Sequence, residues 1–183
     1  MVGTFFTRTG GTQEPWELRG TNDARIRSLE NRAATLEAKL SCRLNLDADR
    51  PINAGTDTAI QFGVDTYDPG GFHDPVTNNT RLTMPVTGRY MVGGVVTLTG
   101  LTGTTHRAVY LAKNGSITIR PTAAELVVPN ADTVAMPVAE FDIYSAGDYL
   151  ELYVWHNASG PLTAKAQGGI YATNFWVHYL GAS

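Results

Sequence analysis

Cysteine and charge are both scarce in this 183-residue sequence, which has a single cysteine, Cys42, and only 17% charged residues. One cysteine excludes an internal disulfide framework, CxxC redox chemistry and thiolate zinc clusters, so the fold must be held by packing. Lysine is rare as well, with 3 residues against 11 arginines. Because the formal net charge is -3, the chain has no polybasic field for phosphate binding, which argues against nucleic acid as a partner.

Long hydrophobic runs are missing too. No stretch approaches the roughly 20 apolar residues that cross a bilayer. The first residues, MVGTFFTRTGG, lack the basic and apolar regions of a secretory signal peptide. We therefore expect no membrane insertion and a chain made in the cytoplasm without export by a cleaved signal. Apolar residues make up 43% of the sequence, which is enough for the core of one domain of ordinary size.

Catalytic motifs are absent: no GxGxxG, Walker A, GxSxG or HExxH pattern occurs. The 4 histidines have no i, i+4 pair, so surface or packed structural roles are predicted for them rather than metal ligation. Asp65, Asp68 and Asp74 lie in a loop rich in Gly and Pro and are weak candidates for a calcium site, although turn-forming aspartate explains them more simply. Glu140 and Asp142 share one face of a strand, which is interpreted as solvated. The sequence thus predicts a non-enzymatic protein without a cofactor.

Charge is unevenly distributed and divides the chain. Residues 1–50 hold 8 Lys/Arg and 7 Asp/Glu, whereas residues 51–183 hold 6 and 10. This shift predicts three parts. They are an N-terminal arm over residues 1–20, a helical stalk with its linker over residues 21–50, and a β-domain over residues 51–183.

The N-terminal arm is rich in Gly and Thr and contains three aromatic residues, Phe5, Phe6 and Trp16, together with Pro15. A segment of this length and composition is too short to form a core by itself. It needs a partner surface to become ordered, so the arm and its aromatic residues are predicted to anchor the chain on another protein.

Residues 22–42 have a helical pattern, with Asn22 as N-cap and no Gly or Pro inside. The apolar residues of this segment are spaced by 3, 4, 3 and 4 positions, as are the a and d positions of a coiled coil. They are Ile26, Leu29, Ala33, Leu36 and Leu40. In a parallel coiled coil, two attractive pairs then join g and e positions of neighbouring chains: Arg25 with Glu30 and Arg32 with Glu37. Cys42 falls at an outward heptad position. The alternative is one amphipathic helix lying on its own domain, and the heptads alone leave dimer and trimer open.

After Pro51 the sequence has the pattern of an all-β domain, in which short runs rich in Val, Thr, Ile and Tyr are separated by Gly, Pro, Asn and Asp. Residues 89–99 and 149–156 alternate, so each run has one face for the core. Asn114-Gly115 predicts a hairpin turn, and residues 146–148 predict a second turn. We expect about eight to ten strands, no further helix, and a two-sheet sandwich of jelly-roll type.

Four segments in order resemble the complement component 1q globular head and the tumour-necrosis-factor-like jelly rolls. They are NTRLTMPVTGRYMV at residues 79–92, VYLAKNG at 109–115, AGDYLEL at 146–152 and FWVHYLG at 175–181. The stretch at residues 62–74 is similar to versions of this domain carried by bacteriophage structural proteins.

The resemblance implies a homotrimer in which one sheet of each protomer packs on a threefold axis. The sheet that contains residues 89–99 and 175–180 is expected there, with Met91, Val95 and Trp176 at the axis. Strand-face aromatics and loop residues are the expected contacts to a host glycan or protein, namely Phe72, His73, Tyr149, Tyr153 and Trp155.

The function implied is that of a non-enzymatic bacteriophage virion structural protein, made in the bacterial host and exposed on the particle surface. We expect a minor tail protein of tail-fibre or tail-tip type. It binds other virion proteins through its N-terminal arm and attaches to the host through its β-domain, the head. One alternative is a capsid head-fibre or decoration protein. Another is a bacterial carbohydrate-binding or adhesin module, and a third is a small hydrolase on the same scaffold.

Overall fold

The structure, a computed structural model, describes residues 15–37, 40–100, 106–116, 122–123, 133–166 and 172–183. The chain divides between Leu36 and Glu37 into a helical unit and a β-sandwich unit. In chain order the elements are α1 (Pro15–Glu37), β1 (Ser41–Asn45), β2 (Arg50–Ile52), β3 (Thr58–Ala59), β4 (Val64–Tyr67), β5 (Arg81–Thr83), β6 (Gly88–Thr99), β7 (Arg107–Lys113), β8 (Thr122–Ala123), β9 (Thr133–Tyr144), β10 (Tyr149–His156), β11 (Leu162–Ala164) and β12 (Asn174–Gly181).

The helix α1 starts earlier and ends earlier than the pattern predicts. It begins at Pro15, which suits a first helical position because its φ is fixed and its missing N–H needs no partner there. Asn22 is therefore an interior residue and not the N-cap. The helix also takes up the last part of the predicted arm. The predicted anchor residues Phe5 and Phe6, and the side chain of Trp16, lie outside the described residues.

Within one chain the predicted coiled-coil stripe is uncovered. Ile26 is 52% exposed and Leu29 is 61% exposed, and Ala33 is exposed as well. The side chains of three predicted pair members, Arg25, Glu30 and Arg32, also face solvent. The side chains of Leu36 and Glu37 lie outside the described part, so the interchain pairing stays a prediction.

The segment that follows the helix corrects the predicted domain boundary. Cys42 and Leu44 are on β1 and fully buried, so Cys42 occupies no outward heptad position. Leu40 packs against the sandwich core, and its carbonyl oxygen accepts a hydrogen bond from the N–H of Tyr179 at 2.9 Å. Leu40 therefore belongs to the head and not to the coiled coil, and the first strand of the head starts at Ser41, ahead of the predicted residue 51.

Two antiparallel sheets make up the sandwich. Sheet A has seven strands in the order β2-β11-β6-β12-β1-β4, with β9 also paired to β6, and sheet B has five in the order β3-β10-β7-β8, with β5 also paired to β10. The described residues thus form twelve strands, which is more than the predicted eight to ten. Five of the twelve are only two or three residues long, which is too short for the sequence pattern to predict them. The mainly β sandwich that the alternation predicts is confirmed.

The core lies between the sheets and follows the predicted alternation. On β6, Tyr90, Val92, Val96 and Leu98 are fully buried. On β10, Leu150, Leu152 and Val154 are fully buried, whereas Tyr149, Tyr153 and Trp155 are on the other face and only partly buried. Burial of so many large side chains supplies the main driving force for the fold.

Both predicted turns are present. Asn114 has φ 51° and Gly115 has φ 77°, the pair of positive values that a type I′ hairpin turn needs. Gly147 has φ 88°, and its N–H donates to the carbonyl oxygen of Met84 at 2.9 Å. This second turn leads from β9 in sheet A to β10 in sheet B, so it closes one end of the sandwich.

Asp148 ties these two turns together. Its carboxylate accepts hydrogen bonds from Asn114 Nδ2 at 2.8 Å and from the N–H of Ser145 at 2.9 Å, and it lies 2.8 Å from Lys113 Nζ. Burial by itself would raise the pKa of Asp148, but the hydrogen bonds from Lys113, Asn114 and Ser145 outweigh it and lower the pKa. The carboxylate therefore stabilises the head only while it is ionised.

Asp148→Ala is expected to lower the free energy of unfolding of the head by about 1–3 kcal/mol at pH 7, the range for losing hydrogen bonds to a charged group. Because the folded pKa is depressed below the ordinary value of 3.8, the difference between the two proteins should begin to shrink as the pH falls below that value, and it should disappear only below the folded pKa. Denaturant unfolding of both proteins from pH 7 to pH 3 measures it. A difference that stays constant down to pH 3 would contradict the assignment.

Candidate assembly and contact surfaces

The outward face of β9 is apolar from Ala135 to Ile143. Residues at every second position point to solvent, and they are Ala135, Pro137, Ala139, Phe141 and Ile143. Phe141 is 63% exposed and Ile143 is 53% exposed. A strand at a free surface normally presents polar side chains outward, so this pattern is typical of a face that another surface covers.

The apolar surface continues across the neighbouring strands of sheet A. Phe141 lies opposite Met91 on β6, and Met91 lies opposite His178 on β12. Met91 is 44% exposed and Leu180, near the end of β12, is 50% exposed. We call this surface the apolar face and define it by Met91, Val95, Ala139, Phe141, Ile143, Trp176 and Leu180.

A glycine fixes the position of the tryptophan on the apolar face. A Cβ at Gly93 would lie 2.6 Å from Cζ2 of Trp176 and 2.8 Å from the carbonyl oxygen of Val138. The indole ring of Trp176 therefore lies over the backbone of Gly93, which only a residue without a side chain permits. This packing leaves Trp176 half-buried within one chain.

The three residues predicted for the trimer axis, Met91, Val95 and Trp176, all lie on the apolar face. The sequence interpretation missed Phe141 and Ile143 because it took the face of Glu140 and Asp142 to be the solvated one. That interpretation is wrong, since these two carboxylates are half-buried and share the side of Tyr144, whose hydroxyl donates to Glu140. The alternation of small and apolar residues from 135 to 143 was the signal that could have found the face.

Charged groups lie among and around the apolar residues. Arg89 is exposed on β6 opposite Ile143, and Arg43 is exposed on β1 opposite Trp176. The ring of His178 lies 5.8 Å from the ring of Trp176. An apolar centre with basic groups beside it is a normal composition for a protein–protein interface, where arginine is enriched.

The three aspartates considered for calcium are engaged with their own loop. Asp65 Oδ1 lies 2.6 Å from His73 Nδ1. Asp68 accepts the N–H groups of Phe72 and His73 at 3.0 and 2.9 Å. Asp74 accepts the N–H groups of residues 76 and 77 at 2.9 and 3.1 Å, and its pKa is lowered first of all by the hydroxyl of Thr77. Within the described chain no three acidic, His or Cys side chains converge on a metal position.

Two of the expected host-contact residues are buried. Phe72 is 1% exposed and packs edge-on against Tyr90, with 6.2 Å between ring centroids. The side chain of His73 has no exposed surface. The prediction that these residues contact a host molecule is therefore wrong. A loop position says nothing about where a side chain points, and here the ring fills the core.

The other expected contact residues lie on the outward face of sheet B. Tyr153 stacks on Tyr110 with ring centroids 5.7 Å apart. The guanidinium carbon of Arg81 lies 4.0 Å from the centroid of the Tyr149 ring. Burial and the neighbouring Glu151 raise the pKa of Tyr153. The aromatic residues Tyr149, Tyr153 and Trp155 are only partly exposed, so their role in host contact stays a prediction.

The buried thiol of Cys42 has no nucleophilic character. Burial is the main cause that raises its pKa above the ordinary value, and the carboxylates of Asp68 and Asp65 raise it further. A thiol that stays protonated is not a nucleophile. No helix among the described residues is long and apolar enough to span a membrane.

No protein-family model matches the sequence, and no curated protein matches it significantly. Several solved structures are similar. The Eiger TNF of S. frugiperda has a TM-score of 0.53 at 14% identity, over 79% of this chain and 94% of that one.

The globular domain of zebrafish complement 1qA has a TM-score of 0.53 at 9% identity, over 78% of this chain and 98% of that one. Murine APRIL at pH 8.0 has a TM-score of 0.54 at 14% identity, over 76% and 98%. The head therefore has the fold of the tumour-necrosis-factor and complement 1q jelly rolls, which confirms the fold that the four sequence segments predicted.

Proposed function

We propose that this chain is a non-enzymatic structural protein of a bacteriophage particle, and that it assembles as a homotrimer through the apolar face of sheet A. In this assignment it is of tail-fibre or tail-tip type. The coiled coil and the head hold three chains together, the N-terminal arm binds other virion proteins, and the outward face of sheet B contacts a glycan or protein on the host surface.

The observation that carries the assembly is the apolar face itself. It is built on long, paired strands, and four of its exposed members are large: Met91, Phe141, Ile143 and Leu180. Covering a large apolar side chain contributes about 1.5–3 kcal/mol. A contiguous patch of this kind is a surface for protein association.

A second copy of the chain is the occupant that fits best. The exposed stripe of α1, with Ile26 and Leu29, also lacks a covering surface within its described part, and most of the stability of a helix in a protein comes from packing of its apolar face. Self-association would cover the helix stripe in the helical unit and the apolar face in the sandwich unit. Three copies follow from the resemblance to the trimeric jelly rolls.

The proposed mechanism of attachment is avidity. Three identical weak sites on one rigid head raise the apparent affinity for a surface, because the second and third contacts form at a high effective concentration. No site of high affinity on a single head is then needed.

The virion role rests on the sequence at residues 62–74 and on the layout of arm, stalk and head. Gold-labelled antibodies against the head would test it on intact particles. Label at the tail end supports the tail-fibre or tail-tip assignment, and label at capsomer centres would assign a head-fibre or decoration protein instead. Label on bacterial cells and not on particles would overturn the virion role in favour of an adhesin.

Light scattering of the purified full chain measures the assembly directly. We expect a mass three times that of the 19.7 kDa chain, at concentrations from micromolar upward. A dimer would keep self-association but contradict the trimer. A single-chain mass at all concentrations would overturn the assembly and with it the proposed role of the apolar face.

A further inference from the structure

The Asn114-Gly115 pair is the single Asn-Gly dipeptide of the sequence. Such a pair is chemically labile, because glycine has no Cβ that would keep its backbone nitrogen away from the preceding side-chain amide. Once hydroxide has removed its proton, the nitrogen of Gly115 can attack Cγ of Asn114. The new C–N bond closes a five-membered succinimide ring, the Cγ–Nδ2 bond breaks, and ammonia leaves with a proton taken from water. Water then opens the ring at either carbonyl and leaves aspartate or isoaspartate at position 114.

Burial does not protect this dipeptide. Asn114 and Gly115 are both exposed, so water reaches the turn. The two residues form the tip of a hairpin closed by Lys113 and Ser116, whose backbone groups bond to each other at 3.1 and 2.8 Å. Any protection must therefore come from the way in which the Asn114 side chain is held.

Both polar atoms of the Asn114 side chain are bound to the neighbouring turn. Its Nδ2 donates to Asp148 Oδ1 at 2.8 Å, and its Oδ1 accepts the N–H of Tyr149 at 2.9 Å. The backbone N–H of Asn114 donates to the carbonyl oxygen of Tyr149, also at 2.9 Å. A carboxylate only accepts and a backbone N–H only donates, so the side-chain amide has one permitted orientation. Residues 148 and 149 thus hold the amide in place.

Closing the succinimide ring would break this arrangement. The amide must turn towards Gly115 and its nitrogen must leave, so the hydrogen bonds to Asp148 and Tyr149 have to be lost first. The bond to Asp148 is the stronger of the two, because its acceptor is charged. This carboxylate is itself held by Lys113 Nζ at 2.8 Å and by the N–H of Ser145 at 2.9 Å. The reaction therefore requires a local opening of the turn.

We propose that Asn114 is a deamidation site that the folded head keeps unreactive, and that Asp148 is the residue that holds it. Deamidation would place a carboxylate at position 114 where an amide now donates to the carboxylate of Asp148. Like charges at hydrogen-bond distance repel, so the tie between the two turns would be lost. Opening of the turn and chemical damage to it thus promote each other. This inference does not depend on the assembly or on the virion role.

Deamidation of the full chain at mildly alkaline pH tests the proposal. The readout is the mass increase from NH₂ to OH in the tryptic peptide that starts at Asn114, since trypsin cleaves after Lys113. The native wild type should react at least about tenfold more slowly than the same chain unfolded in guanidinium chloride. Asp148→Ala should raise the native rate about 10–100-fold, the factor for losing one hydrogen bond to a charged group.

Val177→Ala is the matched control. Val177 is fully buried on β12, so the change weakens the core of the head by a comparable amount and alters neither turn. The native deamidation rate of this variant should stay that of the wild type.

Three results would overturn the proposal. One is a native wild-type rate equal to that of the unfolded chain, and another is an unchanged rate in Asp148→Ala. The third is an equal rise in Val177→Ala, since the protection would then come from the global stability of the head. Should Asp148→Ala not fold, Asp148→Asn takes its place. This variant keeps an oxygen acceptor but not its charge, and a rate as low as in the wild type counts against the role of Asp148.

Discussion

Phe141→Asp is expected to convert the proposed homotrimer into single chains at micromolar concentration. Phe141 lies near the middle of the apolar face, where Met91 is its neighbour across the strand pair. The change removes about 1.5–3 kcal/mol of apolar burial for each copy, and it places a carboxylate where the proposed interface would exclude water. A loss of 3 kcal/mol is more than a hundredfold in the association constant. Sedimentation velocity of wild type and variant measures the distribution of species.

Val76→Asp is the control for this change. Val76 is 87% exposed and is not on the apolar face, so it tests the effect of the same kind of substitution without a predicted contact. The control should keep the wild-type mass. If both variants keep that mass, the chains associate elsewhere and the apolar face is not the interface. If both fall apart, the association is not specific to this face.

Leu44→Ala is expected to destabilise the head by about 2–5 kcal/mol, the range for emptying a buried leucine position. Leu44 is fully buried and lies on β1 opposite Phe175, in a segment that the sequence pattern assigned to the linker. The cost comes from lost burial and from the cavity that remains between the sheets. Denaturant unfolding, followed by the fluorescence of Trp155 and Trp176 in the head, measures the change.

Leu29→Ala provides the comparison. Leu29 is 61% exposed in α1 and is outside the sandwich unit, so the unfolding of the head should change by less than about 0.5 kcal/mol. If Leu44→Ala has an equally small effect, β1 is not an integral part of the head, and the predicted boundary at residue 51 would be restored. A head fragment that begins at residue 51 should accordingly fail to fold.

Much of the fold could be predicted from local patterns. The two-residue period of residues 89–99 and 149–156 separates a core face from an outward face, because successive side chains of a strand point to opposite sides. The Asn114-Gly115 pair predicts its turn, because few other dipeptides adopt two positive φ values at low cost. These features depend on neighbours in the sequence, so the sequence displays them directly.

The region between the helix and the first strand could not be predicted in the same way. Leu40 continues the heptad spacing of the helix, and Cys42, Leu44 and Leu46 also fit a strand with every second residue buried. The contact between β1 and β12 decides between the two patterns. The partner residues are more than 100 positions away in the chain, and no local pattern records them.

By itself the sequence determined the mainly β composition, the alternating faces of the long strands, the positions of the turns and the separation of a helical segment from the head. The tertiary structure alone decided that β1 belongs to the head, that Phe72 and His73 are buried, and that Phe141 and Ile143 face outward. The physical reason is the same in each case. Alternation of residue types at every second position indicates that a strand has two different faces. Only the packing of the second sheet determines which of these faces is covered within one chain.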